Sequence, residues 1–190
     1  MQLVHDGSRG DVHSIDAAFT VAIPFDVASI RHDPAVGGGA LMDLGCYPVH
    51  WVRSLVGEEP EVVDAAYRPN PMGAGETVEA TLRFPSGVQG RVLAGMADTE
   101  VFKASIVVHG TRGTLEIDNA VLPHNGHSVR LTTDGVLRTF TVGGGETYDY
   151  QLRAVVEALG GGGTMPTEAD DFVASMTAVD AIYAAASLVR

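Results

Sequence analysis

Residues Gly37–Gly57 read GGGALMDLGCYPVHWVRSLVG. Three glycines enter a run with helical period. Placed on a helix over 40–55, Leu41, Leu44, Pro48, Trp51 or Val52, and Leu55 form an apolar stripe. Asp43, Tyr47, His50 and Ser54 fall at i, i+4, i+7 and i+11 and form a second stripe on another face. An acid, a phenol and an imidazole converging on one side make a surface suited to proton transfer. The same spacing fits an amphipathic helix whose polar face is simply solvated. Pro48 removes a backbone donor and disfavours α geometry at Tyr47, so a kink or break is expected beside the tyrosine. The glycines let the chain approach a ligand or another domain closely. A tyrosine of ordinary pKa, about 10, exchanges protons poorly unless a cation stabilises its phenolate, and no obvious cation is near in the sequence.

Outward from this segment the pattern changes. Val12–Ile23 has strand composition and ends at Pro24, and a linker with Asp33-Pro34 leads to the glycines. Residues 1–10 suggest a helix end and a turn. After Gly57 and Glu58-Glu59-Pro60, which stop the helix, β patterning runs to Val142. Candidate strands are Glu61–Tyr67, Glu76–Phe84, Val88–Ala94, Phe102–His109, Thr114–Ile117, Val129–Thr133 and Val136–Val142. Pro85-Ser86-Gly87, Gly110-Thr111-Arg112-Gly113 and Asp134-Gly135 are the turn signals between them. Beyond Gly143-Gly144-Gly145, Tyr148–Leu159 reads as a helix closed by Gly160–Gly163. Thr167–Val189 reads as a second helix. Thr167 and Asp170 have the form of a capping box, and Met176, Val179, Ala181, Ile182, Ala185 and Leu188 supply a buried stripe. The expected fold is α+β: a large, mostly antiparallel sheet with helices on one face. Ile106-Val107-Val108 is apolar on both sides of its strand. The second sheet face is therefore either half-wet or paired with another subunit.

Composition narrows the function. The chain has 190 residues, 45% of them apolar, enough for one domain with a real core. Net charge is −12, and Lys103 is the only lysine. Nucleic acid and anionic membranes, which need clustered basic side chains, are not expected partners. Cys46 is the only cysteine, which excludes an internal disulfide and fits a reduced, cytoplasmic protein. No secretory signal pattern opens the chain, and no apolar run reaches the roughly 18 residues of a membrane span.

Several chemistries have no motif here. Gly37-Gly38-Gly39 lacks the spacing and the βαβ context of a dinucleotide fingerprint, and no Walker loop or G-x-S-x-G is present. His124-x-x-His127 is too sparse for zinc and reads as a polar loop with two exposed histidines.

GGGALMDLGCYPVH resembles the signature of the substrate domain of the glucose–fructose oxidoreductase, inositol dehydrogenase and rhizopine-catabolism (Gfo/Idh/MocA) family. In that signature a glycine triplet precedes D-x-G-x-H or D-x-G-x-Y. Here it is Asp43-Leu44-Gly45-Cys46-Tyr47, similar to the D-x-G-x-Y branch with glucose–fructose oxidoreductase and dimeric dihydrodiol dehydrogenase. IRHDPAVGGG resembles that branch's approach to the motif. HGTRGTL (109–115) looks like the family's hairpin, and DGSRGDVHSIDAAF (6–19) like the first strand of its second domain. The likeness spans almost the whole chain.

The resemblance implies that residues 1–190 form a single substrate-binding and oligomerisation domain. It implies an enzyme that moves a hydride between NAD or NADP and the hydroxyl or carbonyl carbon of a carbohydrate-like substrate: a sugar, polyol or diol. Tyr47 takes the acid–base position and Asp43 the position that orients substrate or acid. His50, Arg31, Gly38 and Gly39 are candidate substrate-binding residues. The open sheet face implies a homodimer or tetramer. The family's dinucleotide-binding Rossmann domain, with an E-K-P lysine that partners the acid, is expected to precede this domain and is missing from these residues. The chain alone is therefore expected to bind no NAD(P) and to be inactive. Two readings follow: one half of an oxidoreductase completed by a Rossmann partner in cis or as a separate chain, or a stand-alone, non-catalytic substrate-binding or oligomerisation module.

Overall fold

The computed structural model describes residues 9–163, 165 and 167–187. The readings for residues 1–8, Leu188 and Val189 lie outside them. Eight strands form one sheet: β1 (Val12–Thr20), β2 (Glu61–Pro69), β3 (Gly75–Arg83), β4 (Gln89–Gly95), β5 (Lys103–Gly110), β6 (Gly113–Asp118), β7 (Ser128–Thr133) and β8 (Val136–Phe140). Their order is β2-β3-β4-β1-β5-β6-β7-β8. Every neighbouring pair is antiparallel except β1–β4. Among the described residues three α-helices accompany the sheet: α1 (Cys46–Val56), α2 (Thr147–Leu159) and α3 (Ala169–Ala185).

The hairpins follow their turn residues. Gly110 pairs with Gly113 across Thr111-Arg112. A side chain on either glycine would strike a neighbouring carbonyl, that of Arg9 or Thr132. Asp134 and Gly135 both have positive φ, 48° and 81°. A tight two-residue hairpin turn that matches strand twist demands this. α1 stops at Gly57, whose φ of 76° lets its N–H reach the Arg53 carbonyl at 2.8 Å.

One sheet face carries the core. Ile15, Ala17, Val78, Leu82, Val92, Ile106 and Val108 are buried there beneath Val49 and Val52 of α1 and Val179 and Ile182 of α3. The approach is close: a Cβ at Gly90 of β4 would lie 2.8 Å from Val52 Cγ1. Arg53 locks the two helices together. Its guanidinium is only 5% exposed and holds Glu59 through two hydrogen bonds, at 2.7 and 2.6 Å. It also reaches Asp171 at 3.1 Å and Ser175 at 2.6 Å on α3. The other face carries Asp16, Glu79, Arg91 and Lys103 around half-buried Leu93 and Val107. Val107 thus points away from Ile106 and Val108, as strand alternation requires.

Four expectations are corrected. α3 begins at Ala169 after Glu168, with no side-chain cap, so the Thr167 capping box does not form. Its buried stripe is Ala178, Val179, Ile182, Tyr183 and Ala186, while Ala181 and Ala185 are exposed. Tyr183 draws the stripe round the helix because it buries far more surface than an alanine. α2 buries none of its residues, so it does not cover the sheet as α1 and α3 do. His127 is half-buried, with Nδ1 on the Pro123 carbonyl at 2.8 Å and Nε2 accepting the Val142 N–H at 2.9 Å. It is a tether for the β8–α2 connection rather than an exposed loop residue.

Candidate active site

The site is assembled from the segment between β1 and α1. Two short 3-10 turns, Ile30–His32 and Pro34–Val36, are capped by Ser29 and Asp33. His32 is the anchor. Its ring is 1% exposed and contacts Phe25, with Nε2 3.2 Å from the Pro24 carbonyl. Its own carbonyl accepts from Asn70 at 3.0 Å.

The glycine triplet folds this loop back on itself. The N–H of Gly38 donates to Asp33 O and that of Gly39 to Arg31 O, each at 2.8 Å. A Cβ at Gly38 would lie 2.5–2.8 Å from the carbonyls of Ile30, Asp33 and Arg31. The close approach the glycines permit is thus to the chain's own backbone. The loop leaves Val27, Ile30 and Val36 more than 60% exposed, an apolar rim beside the site.

Next come a π-helical turn, Leu41–Gly45, and α1. Gly45 seats this turn on the sheet: a Cβ there would meet Leu41 Cδ1 at 2.8 Å and Ala94 Cβ at 3.2 Å. Pro48 does not push Tyr47 out of helical geometry, since both lie within α1. The irregularity falls one turn earlier. The wider π turn accommodates a residue that has no N–H to give and whose ring crowds the preceding turn.

Asp43, on the π turn, is near enough to Tyr47 to act on its ionisation. Asp43 Oδ2 lies 2.9 Å from Arg31 Nε, so the loop brings a cation to the site from 12 residues away. The Tyr47 ring packs edge-on against Phe19, centroids 5.2 Å apart, and against Trp51 at 6.2 Å. The residue remains 41% exposed, so its phenol is accessible. Its pKa is raised above the ordinary value of 10.0, chiefly by burial and then by the neighbouring ionisable groups of Cys46, Tyr148 and Asp43. Tyr47 holds its proton firmly.

His50 and Ser54 are drawn elsewhere. His50 Nδ1 is 3.3 Å from Asp171 Oδ2 on α3, and Nε2 is 3.3 Å from Ser54 Oγ. The second stripe thus divides: its first half faces the open site and its second half faces α3.

Tyr47 opens onto a cleft of about 500 Å³ between α1, the connection after β6 and α2. Trp51, Leu122, Tyr148, Tyr150, Gln151 and Met165 are among its walls, and among the described residues none that lines it is charged. Tyr150 is held by its hydroxyl, which accepts the Gly145 N–H at 3.0 Å. The sequence pattern gives Tyr148 and Tyr150 no part in a site and places Trp51 only as an alternative to Val52 in an apolar stripe. Tyr148 and Tyr150 stand at the start of a helix that buries nothing, and Trp51 lies half-buried on α1 facing them. Among the described residues no group of three His, Cys, Asp or Glu side chains is placed to hold a metal.

The family description GFO/IDH/MocA C-terminal domain matches residues 1–116. The chain belongs to the Gfo/Idh/MocA family. It corresponds to the C-terminal domain of that family's oxidoreductases. Among family members, the D-xylose 1-dehydrogenase (NADP(+)) 2 of Haloferax volcanii is 29% identical over 181 residues, 93% of this chain and 54% of that protein. The dTDP-3,4-didehydro-2,6-dideoxy-alpha-D-glucose 3-reductase of Streptomyces antibioticus is 32% identical over 133 residues, 68% of this chain and 39% of that protein. The crystal structure of aldose-aldose oxidoreductase from Caulobacter crescentus, complexed with glycerol, superimposes with a TM-score of 0.87 at 27% identity. That match covers 98% of this chain and 56% of the crystallised one. The chain thus spans about half the length of the relatives it matches or less.

Proposed function

We propose that this chain supplies the substrate-binding and proton-transfer half of an NAD(P)-dependent oxidoreductase. The substrate is a sugar, polyol or diol, and the reacting group is its hydroxyl or carbonyl. The observation that carries this reading is Tyr47: an accessible, firmly protonated phenol at the mouth of an uncharged cleft, four residues from a carboxylate held by Arg31. The relatives named as sugar oxidoreductases, one with NADP(+) in its name, support the substrate class and the cofactor.

The described residues do not suit the cofactor's phosphates. Gly143-Gly144-Gly145 leads into α2 beside the cleft but has neither the G-x-G-x-x-G spacing nor a βαβ setting, and among the described residues no Lys or Arg is in the cleft wall. The nicotinamide, which supplies or accepts the hydride, is assigned to a Rossmann partner in cis or in a separate chain. The apolar rim of Val27, Ile30 and Val36 beside Asp43 is the surface proposed to receive it. In the reducing direction Tyr47 donates its proton to the carbonyl oxygen as that oxygen gains negative charge. In the oxidising direction the phenolate takes the hydroxyl proton. Asp43, fixed by Arg31, orients the substrate hydroxyl or the phenol. His50, bonded to Asp171, acts on this site through the placement of α1.

The sheet face around Leu93 and Val107 is proposed to join copies into a dimer or tetramer. The compartment proposed is the cytoplasm, in keeping with one unpaired cysteine; among the described residues no helix is long and apolar enough to cross a membrane. The test is cofactor titration of the purified chain, alone and with a chain carrying G-x-G-x-x-G and E-K-P. Absence of NADH and NADPH binding alone, with turnover gained on addition of that chain, is the expected result. Persistent inactivity of the mixture, with the partner shown to be bound, would instead favour a non-catalytic module.

A further inference from the structure

We infer that the cleft selects an uncharged, ring-shaped polyol, that Tyr148 and Trp51 are its specificity-determining residues, and that it rejects phosphorylated and nucleotide-linked sugars. This deepens the proposed function and rests on it for the location of the reacting group. Three features of the cleft support the inference.

The first is the charge of the wall. Among the described residues, none that lines the cleft is charged. A phosphate drawn into such a wall would lose water and gain no cation in return, which disfavours its binding. The basic side chains nearby are committed elsewhere. Arg31 pairs with Asp43, and Arg153 lies over the ring of Tyr150, 5.9 Å from its centroid, outside the lining. The acidic chain as a whole, with net charge −12, repels anions further.

The second is the chemistry of the surfaces. Trp51 and Tyr148 offer flat apolar faces beside Tyr47. The C–H face of a saturated ring packs on such surfaces. Gln151 and the hydroxyls of Tyr47, Tyr148 and Thr147 both donate and accept hydrogen bonds, as the hydroxyls at a sugar's rim require. The third is size. The volume of about 500 Å³ lies within the range of roughly 300–1,000 Å³ usual for small-ligand pockets.

Trp51 is the only tryptophan, so intrinsic emission reports on the cleft directly. The experiment titrates the full chain with glucose and with glucose 6-phosphate and follows that emission. Saturable binding of glucose, with glucose 6-phosphate at least about tenfold weaker, is expected. Tyr148→Ala should weaken glucose by about tenfold with an unchanged circular dichroism spectrum, because Tyr148 is 70% exposed and α2 buries nothing. Gln151→Arg should reverse the preference toward the phosphorylated sugar. Equal or tighter binding of glucose 6-phosphate by the unaltered chain would overturn the inference, as would unchanged glucose affinity in Tyr148→Ala or no saturable glucose response. Turnover is not read in this experiment. A Tyr47→Phe enzyme that stayed active would remove the proposed acid and leave the selectivity of the cleft standing.

Discussion

Arg31 Nε lies 2.9 Å from Asp43 Oδ2, although the two residues belong to different elements. Asp43 is on the π turn, and Arg31 arrives on a loop folded back by Gly38. Both side chains are substantially exposed, at 54% and 30%. Exposed pairs of this kind contribute only about 0–1 kcal/mol to stability, so the pair orients the Asp43 carboxylate more than it supports the fold. Arg31→Gln should therefore leave the melting temperature within a few degrees of the parent. In the enzyme completed by its nucleotide domain it should lower kcat/KM by about tenfold, read by steady-state kinetics.

The raised pKa of Tyr47 sets a pH dependence. Burial and neighbouring ionisable groups favour the protonated phenol, so it remains a competent donor beyond its ordinary value of 10.0. Carbonyl reduction should be insensitive to Tyr47 titration from neutral pH to about pH 10 and decline only above that. Hydroxyl oxidation needs the phenolate and should rise continuously into the alkaline range. Rate–pH profiles in both directions check this. A plateau of the oxidation rate at neutral pH would show that a bound partner lowers the phenol's pKa.

Arg53 and Glu59 predict an acid limit to stability. The hydrogen bonds from Arg53 hold Glu59 below its ordinary value of 4.5. The folded state therefore favours the carboxylate. Its contribution is complete above the unfolded value and is lost as pH falls through the lowered folded value. Glu59→Gln should flatten the stability curve between about pH 5 and pH 3, measured by urea unfolding at stepped pH. Arg53→Met should destabilise at neutral pH by about 1–3 kcal/mol, since it strips partners from Asp171 and Glu59 at the α1–α3 junction.

The open sheet face makes a prediction about assembly. Leu93 and Val107 sit half-buried among Asp16, Glu79, Arg91 and Lys103, with Asp16 bonded to His109 at 3.0 Å. A face of apolar centre and charged rim has the composition of an interface. Sedimentation velocity should report a dimer or tetramer. Leu93→Asp should shift it to monomer while the secondary structure persists. A monomeric parent chain would leave this face simply half-wet.

The sequence was most readable where structure is decided locally. Asp134-Gly135 and the Gly110–Gly113 turn place β5 to β8, because those turns demand backbone conformations or spaces that only a few residues provide. The helical period of the 40–55 segment was also legible, although its first turn, with Asp43, is a π turn and only Cys46–Val56 is α-helical. Longer-range choices were hidden. Nothing in Val12–Thr20 announces that β1 inserts between β4 and β5 and runs parallel to β4. Arg53 reads as a surface residue until Glu59, Asp171 and Ser175 surround it. Tyr183 reads as one aromatic among alanines, yet it sets which side of α3 is buried. His50 matched the spacing of the active face but found a stronger partner in Asp171. Each miss is a contact between segments far apart in the chain, or a packing competition among neighbours, that local pattern does not encode.

The central claim is that Tyr47 moves the proton. It is tested most directly by single-turnover NAD(P)H oxidation in the completed enzyme, parent against Tyr47→Phe. Phenylalanine keeps the ring on Phe19 and Trp51 and removes only the hydroxyl. The account predicts a rate lower by about 10²- to 10⁴-fold with an unchanged melting temperature. A rate equal to that of the parent would contradict it and take Tyr47 out of the reaction.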